Sequence, residues 1–408
     1  MPVPNPVLHL GWDPRPIGAL QRAGAEVTCV VPAKDAPAVR AAGAAAIVVP
    51  DPGSVEDVLA GLVRNSLSPS DFGAVCSANE FYLVQAAALA ELGGAVGSGS
   101  RQMLAMRDKF VQKDLLRRAD VRTAAHLLVE SLERLDVTTV EYPQVLKPLN
   151  AAGAMHTVVV RDAEELRQAI DASRQSSDGP WLLEEYVPGR EFFVDGVVRE
   201  GRLRLFSLSR YFQNLIECHG GGIVAYHTLP ESEELELHAR TRSLTEAAFK
   251  ALQFEDGVFH LEVFWDGSEV VFGECAARVG GGRADRVVEL TYGVNLHDEW
   301  ALAALDLPSR IVDEPTPTEE SYGGLNLRCP QGTVVSAPTL DETLARPGVV
   351  EADIYVTPGG VAPDFSSASH IRAGQAVVSG ADTREVAERI AGLSAWFHDS
   401  VQVAPTAD

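Results

Sequence analysis

In HLEVF (His260–Phe264) and VFGECAARVGGG (Val271–Gly282), one glutamate lies inside each apolar, strand-like run. The segment between them, Trp265–Glu269, has the composition of a hairpin turn, which predicts that Glu262 and Glu274 lie on adjacent strands. Buried carboxylates without a partner are costly. Two of them on one sheet face suggest a divalent cation, and an all-oxygen site suits Mg²⁺ carried in with a nucleotide. The alternative is a solvent-facing hairpin with scattered acids, against which the apolar flanks argue.

The composition limits the class of partner. The chain has 408 residues, 46% of them hydrophobic, and a formal net charge of −23. This length suggests two to four domains, and the charge would repel nucleic acids and anionic membranes, so neither is expected as a partner. The five cysteines are dispersed without a CxxC pair, which argues against a zinc site or a disulfide framework. The chain shows no signal-peptide pattern and no long apolar run, which predicts a cytoplasmic protein.

Residues 1–98 alternate short apolar runs with helical patterns, which predicts a doubly wound parallel-sheet domain. The predicted strands are Val7–Leu10, Glu26–Val31, Ala46–Val49 and Ala74–Ser77, and the predicted helices are Ile17–Ala23, Ala36–Ala42 and Val55–Val63. A dinucleotide-binding fold would need GxGxxG after the first strand. The sequence there is HLGWDPRPIG (His9–Gly18), so we reject that fold.

The rest of the chain divides by pattern into a linker helix (99–120), a small strand-rich unit (121–190) and a larger unit with a C-terminal extension (191–408). The predicted helices are Ser100–Asp120 with Ser100 as its N-cap, Ala163–Ser173, Glu234–Leu252, Ala284–Leu305 and Thr383–His398. Strands are predicted at Val145–Pro148 and Leu182–Pro188, and the stretch Glu314–Glu320 is a linker or surface loop.

Further polar residues are suited to binding anions. Lys147 ends an apolar strand, where it is costly unless an anion meets it, and the small residues of 150–157 would let backbone N–H groups approach phosphates. Arg278 and three glycines follow Glu274 as an anion site, while His260 faces the same side as Glu262. A solvated lysine, a surface arginine and a satisfied core histidine remain the alternatives.

Taken in order, five motifs resemble the ATP-grasp superfamily. They are RDK (Arg107–Lys109), VLKP with its small-residue loop, EEYVPGRE within Leu182–Val194, HLEVF and GECAARVGGG. The closest resemblance is to carboxylate–amine ligases, especially L-amino-acid ligases that make dipeptides. It implies an α/β and α+β architecture, the ATP-grasp fold. This has an N-terminal doubly wound domain, a central two-subdomain unit that holds ATP between antiparallel sheets, and a C-terminal α+β part.

The resemblance also implies roles for residues at matching motif positions. The nucleotide-binding positions are Lys109 and Lys147 for the phosphates, Glu184 and Val187 for adenine through backbone groups, Glu185 in the same hinge, and Glu191 for ribose. Glu262 and Glu274 would hold Mg²⁺, with Mn²⁺ as an alternative ion. Arg278 would stabilise an acyl phosphate and the tetrahedral intermediate that follows it.

These roles imply an ATP-dependent ligase that joins a small-molecule carboxylate to an amine through an acyl phosphate, releasing ADP and phosphate. The resemblance is also compatible with a homodimer. Two alternatives are a phosphotransferase and a nucleotide-binding protein without turnover. Two departures favour the latter: Ala276 stands where many members have Asn, and the phosphate loop has Ala and Met where Gly and Ser are common.

Overall fold

The computed structural model describes residues 2–149, 153, 155–173, 179–220, 222–365 and 368–405. The first unit is a four-stranded parallel sheet in the order β3-β2-β1-β4. Its elements are β1 (Val7–Leu10), α1 (Pro14–Arg22), β2 (Val27–Val31), α2 (Ala36–Ala41), β3 (Ala45–Val48), α3 (Val55–Arg64), β4 (Ala74–Cys76) and α4 (Leu83–Gly93). Val7 packs with Ile17 of α1, whereas Leu8 packs with Leu62 of α3. Both sheet faces are therefore covered by helices, as the alternating pattern predicts.

The single helix predicted at Ser100–Asp120 is wrong. The segment forms α5 (Ser100–Arg107) and α6 (Lys109–Arg118), separated by Asp108 in an extended conformation. The Asp108 side chain accepts a hydrogen bond from the Val111 N–H at 2.8 Å and so caps α6. Ser100 is not an N-cap either, because Gly99 holds that position and the Ser100 N–H and Oγ–H both donate to Glu91.

The second unit is a four-stranded antiparallel sheet in the order β5-β8-β6-β7. Its elements are β5 (His126–Val129), β6 (Gln144–Pro148), β7 (Val158–Val160), α7 (Ala163–Ser173) and β8 (Trp181–Glu185). Leu166 and Ile170 of α7 pack against Leu146 and Trp181 on one face of this sheet. The strand predicted at Leu182–Pro188 ends at Glu185, and half of the loop predicted at 150–157 lies outside the described residues.

The third unit is an eight-stranded sheet in the order β13-β12-β9-β10-β11-β14-β17-β16. Its elements up to the hairpin that contains Glu262 and Glu274 are β9 (Arg190–Arg199), β10 (Arg202–Tyr211), β11 (Ala225–Thr228), α8 (Leu235–Leu252), β12 (Gly257–Trp265) and β13 (Val270–Ala276). The predicted helix Ala284–Leu305 is two helices, α9 (Ala284–Tyr292) and α10 (Leu296–Ala304). Gly293 takes a left-handed conformation, φ 71°, and ends α9.

The C-terminal part adds three strands to this same sheet and also forms a separate two-stranded sheet. Its elements are β14 (Ser321–Leu327), β15 (Thr333–Ser336), α11 (Leu340–Leu344), β16 (Val349–Ile354), β17 (Gly374–Gly380), α12 (Thr383–Ser400) and β18 (Gln402–Ala404). The segment Glu314–Glu320 contains no helix or strand, as expected of a loop. Among the described residues, every helix is too short or too polar to traverse a bilayer.

Candidate active site

A β-bulge at Gly273 brings the two predicted metal ligands together. Val263 pairs with Phe272, but the next pair is Glu262 with Glu274, so β13 has one extra residue. Without it, Glu274 would lie opposite Leu261, on the other sheet face from Glu262. The Gly273 carbonyl at the bulge accepts a hydrogen bond from Lys113 Nζ at 2.8 Å. The bulge therefore makes the two carboxylates face the same side.

The environments of these carboxylates differ. Lys109 Nζ lies 3.3 Å from Glu274 Oε1, whereas Glu262 Oε1 lies 3.9 Å from Nε2 of the His260 ring. Burial and the neighbouring Glu274 charge raise the pKa of Glu262. Burial also acts to raise the pKa of Glu274, but the charges of Lys109 and Lys147 lower it overall.

This pair fits a divalent cation that is only partly coordinated by protein. Each glutamate side chain keeps 26% exposure, and the two oxygen-donor groups point to the same side. Among the described residues, no cluster of three or more His, Cys, Asp or Glu side chains could hold a metal by itself. Ligands from phosphates and water would have to complete the shell, which is the usual situation for Mg²⁺.

Buried lysines surround Glu184. Lys147 Nζ lies 2.5 Å from Glu184 Oε1 and Lys113 Nζ lies 3.1 Å from Oε2. Burial acts to raise the pKa of Glu184, but the two ammonium groups lower it to about 2. Lys113 was not predicted from the sequence, although it lies four residues after Lys109 and so on the same face of α6.

The hinge after β8 is only partly as predicted. Glu184 is in register with His126 on one side and Val145 on the other, so its backbone lies within the sheet ladder. The expectation that Glu184 meets adenine through backbone groups is therefore not supported, and its side chain instead lies between two lysines. The Glu185 N–H donates to Ala125 O, whereas the Val187 N–H has no backbone acceptor among the described residues.

Glu191 is buried at the start of β9. Its Oε2 accepts a hydrogen bond from the Leu215 N–H at 2.7 Å, and its own N–H donates to Asn214 Oδ1. Burial and the charge of Glu262 raise its pKa well above the usual value. The predicted contact with ribose stays a prediction, and the segment that begins at Asn214 would border the same nucleotide.

Arg278 is fixed by the N-terminal domain. The strand ends at Ala276, so simple alternation does not place Arg278; instead its Nε donates to Glu80 Oε2 at 2.7 Å. Burial acts to lower the pKa of Arg278, but the Glu80 carboxylate raises it overall. Arg107 Nη1 lies 3.5 Å from the other oxygen of Glu80. Glu80 was not found from the sequence, because it is 198 residues from Arg278.

A buried acid–histidine pair lies beside the metal carboxylates. His260 Nδ1 is 2.9 Å from Oδ1 of Asp195, which is in register with it on β9 and is 1% exposed. Burial acts to lower the pKa of His260, but Asp195 raises it overall. A Cβ on Gly280 would lie 2.6 Å from Asp195 and 2.7 Å from His260, so the pair requires glycine there. Asp195 was also not predicted from the sequence.

All nine sequence-predicted site residues line one cavity of about 320 Å³. The structure thus brings together residues separated by up to 169 positions, from Lys109 to Arg278. The cavity is also lined by residues that no motif indicated, from α6 to the C-terminal part. The main ones are Lys113, Tyr211, Tyr226, Asn326, Ser369, His370 and Arg372. This geometry can hold a polyanion at one side and leaves room for other molecules beside it.

The chain is similar to proteins of known type. A family model described as an ATP-grasp domain matches residues 140–285. The L-arginine-specific L-amino acid ligase of Bacillus subtilis is 23% identical over 325 residues, which cover 76% of each chain. Among solved structures, an L-amino acid ligase from Bacillus licheniformis aligns over 100% of both chains with a TM-score of 0.79 and 19% identity.

A further solved structure is the biotin carboxylase domain of a 2-oxoglutarate carboxylase from Hydrogenobacter thermophilus, in complex with ADP, its magnesium salt and bicarbonate. It covers 99% of this chain and 91% of its own, with a TM-score of 0.72 and 16% identity. The range matched by the family model contains Lys147, Glu191, Glu262, Glu274 and Arg278. The family model, the two antiparallel sheets and the cavity they share all indicate the same architecture, and the chain therefore has the ATP-grasp fold.

Proposed function

We propose that this protein is an ATP-dependent carboxylate–amine ligase that joins amino-acid-like substrates through an amide bond and so forms a dipeptide. One observation carries the proposal: a carboxylate pair, three lysines and an arginine line the same cavity. This set suits a terminal phosphoryl group and its counter-ion. The similar L-amino acid ligases support amino acids as the substrate class.

In this proposal ATP lies between the small antiparallel sheet and the large one. Glu185 and Val187 would receive adenine at the hinge, because the Val187 N–H is available there. Glu191 would bind the ribose hydroxyls, and Lys109 and Lys147 would bind the phosphates. Both lysines now contact carboxylates, and a phosphate would compete for the same charge.

Glu262 and Glu274 would hold Mg²⁺, or Mn²⁺, which shares its preference for oxygen ligands. When bound, the ion supplies positive charge to the phosphate oxygens. Lys109 would then keep Glu274 ionised and in place, since it already contacts this carboxylate. His260, oriented by Asp195, would hold the orientation of Glu262 from the other side.

The chemistry then needs no protein nucleophile. An oxygen of the substrate carboxylate attacks the γ-phosphorus, the bond from this phosphorus to ADP breaks, and an acyl phosphate forms. The amine nitrogen attacks the carbonyl carbon, a C–N bond forms, phosphate leaves with the C–O electron pair, and the nitrogen loses a proton to solvent. Arg278 presents a fork of donors to the acyl phosphate oxygens, and Glu80 orients that fork.

The proposal includes the domain roles expected from the sequence. Residues 121–190 and 191–408 would close on the nucleotide, while 1–98 and the linker 99–120 support the site through Glu80 and Lys109. A homodimer is part of the proposal, as is a cytoplasmic location, because the reaction consumes ATP.

The test is to incubate purified protein with ATP, Mg²⁺ and pairs of the twenty L-amino acids, and to measure phosphate release and the spent nucleotide. We expect ADP and phosphate, formed only when both a carboxylate and an amine are present. AMP as the main product would indicate an adenylating mechanism instead. Stable phosphorylation of one substrate alone would indicate a phosphotransferase, and binding without ATP consumption would indicate a protein without turnover.

A further inference from the structure

Arg372 lines the cavity and contacts no carboxylate of the described residues. Its Nη1 lies 3.4 Å from Asn326 Oδ1, and its guanidinium carbon lies 5.9 Å from the centre of the Tyr355 ring. Within the described part of the chain, no carboxylate lies within 4.0 Å of it. The other arginine of the cavity, Arg278, is paired with Glu80. A half-buried guanidinium with spare donors at a cavity wall is suited to a planar anion.

Arg372 lies near one end of the segment Gly280–Gly282, and the carboxylates Glu262 and Glu274 lie near the other end. A Cβ on Gly280 would lie 2.7 Å from His260 Nδ1, so that end of the segment lies beside His260, next to Glu262. A Cβ on Gly282 would lie 3.8 Å from Asn326 Oδ1, the partner of Arg372. Two Cα steps span at most about 7 Å. The two ends therefore lie within reach of one small molecule.

The local charge fits a single negative charge. His370 also lines the cavity here, but burial and the charge of Arg372 lower its pKa, so it stays neutral at neutral pH. The nearby Arg283 is paired with Asp353. One unpaired guanidinium with a neutral histidine matches a carboxylate better than it matches a phosphate dianion.

We propose that Arg372 binds the carboxylate of the amine substrate, so that the acceptor is an amino acid and the product is a peptide with a free carboxylate. This inference rests on the proposed ligase function. The donor carboxylate reacts at the phosphate beside Glu262 and Glu274, so it cannot also occupy Arg372. The acceptor carboxylate stays unreacted, and holding it would direct the amine nitrogen toward the acyl carbon.

The test compares each L-amino acid with its amide as the acceptor, using wild type, Arg372→Gln and Arg372→Lys. We expect wild type to favour the acid, and Arg372→Gln to lower kcat/KM for the acid by about 10- to 150-fold, the size of one charge-assisted contact. Wild type and Arg372→Gln should use the amide equally well. Arg372→Lys, which keeps the charge but loses the fork, should fall between them.

Two controls distinguish a failure of the role proposed for Arg372 from a failure of the proposed ligase function. Hydroxylamine, an acceptor without a carboxylate, attacks the acyl phosphate, forms a C–N bond and releases phosphate, so hydroxamate formation should be unchanged in Arg372→Gln. Arg384→Gln removes an exposed charge from the same C-terminal part and should behave as wild type. Equal losses for acid and amide acceptors, or no loss, would overturn the role of Arg372 alone. No hydroxamate from wild type with any amino acid would overturn the ligase proposal, and this inference with it.

Discussion

Glu262 and Glu274 are the residues whose single substitution tests the metal site. We predict that Glu274→Gln keeps the fold and lowers turnover by at least about 100-fold, equivalent to ~2.7 kcal/mol, because one ionic ligand is lost while the shape hardly changes. Steady-state turnover and thermal unfolding of the purified variant measure both effects. Glu269→Gln is the matched control, because Glu269 is 63% exposed at the turn of the same hairpin. Turnover of Glu274→Gln within about twofold of wild type would show that the metal assignment is wrong.

Substitution of Arg278 distinguishes a catalytic role of this arginine from a structural one. We predict that Arg278→Lys slows turnover by ~10- to 150-fold, since lysine lacks the second donor of the fork, and leaves ATP affinity nearly unchanged. Glu80→Gln should give a smaller loss, because it removes only the charge that orients Arg278. Turnover and nucleotide affinity are measured on the same preparations. The control is Arg286→Lys, a half-buried arginine that is paired with Glu351 and is absent from the cavity lining. Normal turnover in Arg278→Lys would exclude the catalytic role.

The residues that the sequence did not indicate fall into two kinds. Glu80 and Arg372 reach the site from segments that no motif connects to it, whereas Lys113 and Asp195 lie on α6 and β9, which also carry the predicted residues Lys109 and Glu191. Glu262 and Glu274 were predictable because a short hairpin couples them, and local spacing fixes which strands are adjacent. A contact such as Glu80 to Arg278 depends on how two domains pack, for which one sequence contains no local signal.

At the scale of secondary structure, the bulge at Gly273 controls the geometry of the metal pair. A Cβ there would lie 2.9 Å from the backbone oxygen of Glu262 and 3.1 Å from the Phe264 ring. We predict that Gly273→Ala shifts the pairing of β12 with β13 and lowers turnover at least tenfold, with a loss of unfolding free energy of about 1–3 kcal/mol. Turnover and urea unfolding are the measurements.

The control for this substitution is Gly392→Ala in α12, where a Cβ meets nothing within 4 Å. Alanine there should keep turnover and stabilise the helix by up to about 1 kcal/mol. If Gly273→Ala kept wild-type turnover, the bulge would not be needed to align the two glutamates.

The predicted strands and helices agree with the structure to different degrees. The four N-terminal strands were predicted to within one residue at each end, because buried parallel strands are continuous apolar runs. Two long helices were predicted wrongly, because each is interrupted in the structure, one at Asp108 and the other at Gly293. In both, the apolar pattern continues across the break, and a single capping residue stops the helix. The hairpin was predicted, but its bulge was not, since the extra residue only appears once the register is known.

At the scale of the whole molecule, the small subdomain contacts the C-terminal part through Gly153. The Gly153 carbonyl accepts hydrogen bonds from both the N–H and the Oγ–H of Ser369, each at 3.1 Å. Ser369 O in turn accepts from Asn326 Nδ2, and Asn326 contacts Arg372. The segment expected to cover the phosphates is thus connected to the proposed acceptor site.

Because of this connection, we predict that Ser369→Ala allows hydrolysis of the acyl phosphate, so that ATP is cleaved without amide formation. Losing the Oγ–H bond, worth ~0.5–1.5 kcal/mol, weakens closure over the cavity, and water then competes with the amine for the acyl phosphate. We expect more ADP formed per amide, by about two- to tenfold, while the initial rate of ATP cleavage changes less. The ratio is measured by chromatography of nucleotide and product from one reaction. Ser70→Ala, an exposed serine of the N-terminal domain, is the control and should keep one ADP per amide. An unchanged ratio in Ser369→Ala would mean that this contact does not protect the intermediate, and that closure depends on other parts of the chain.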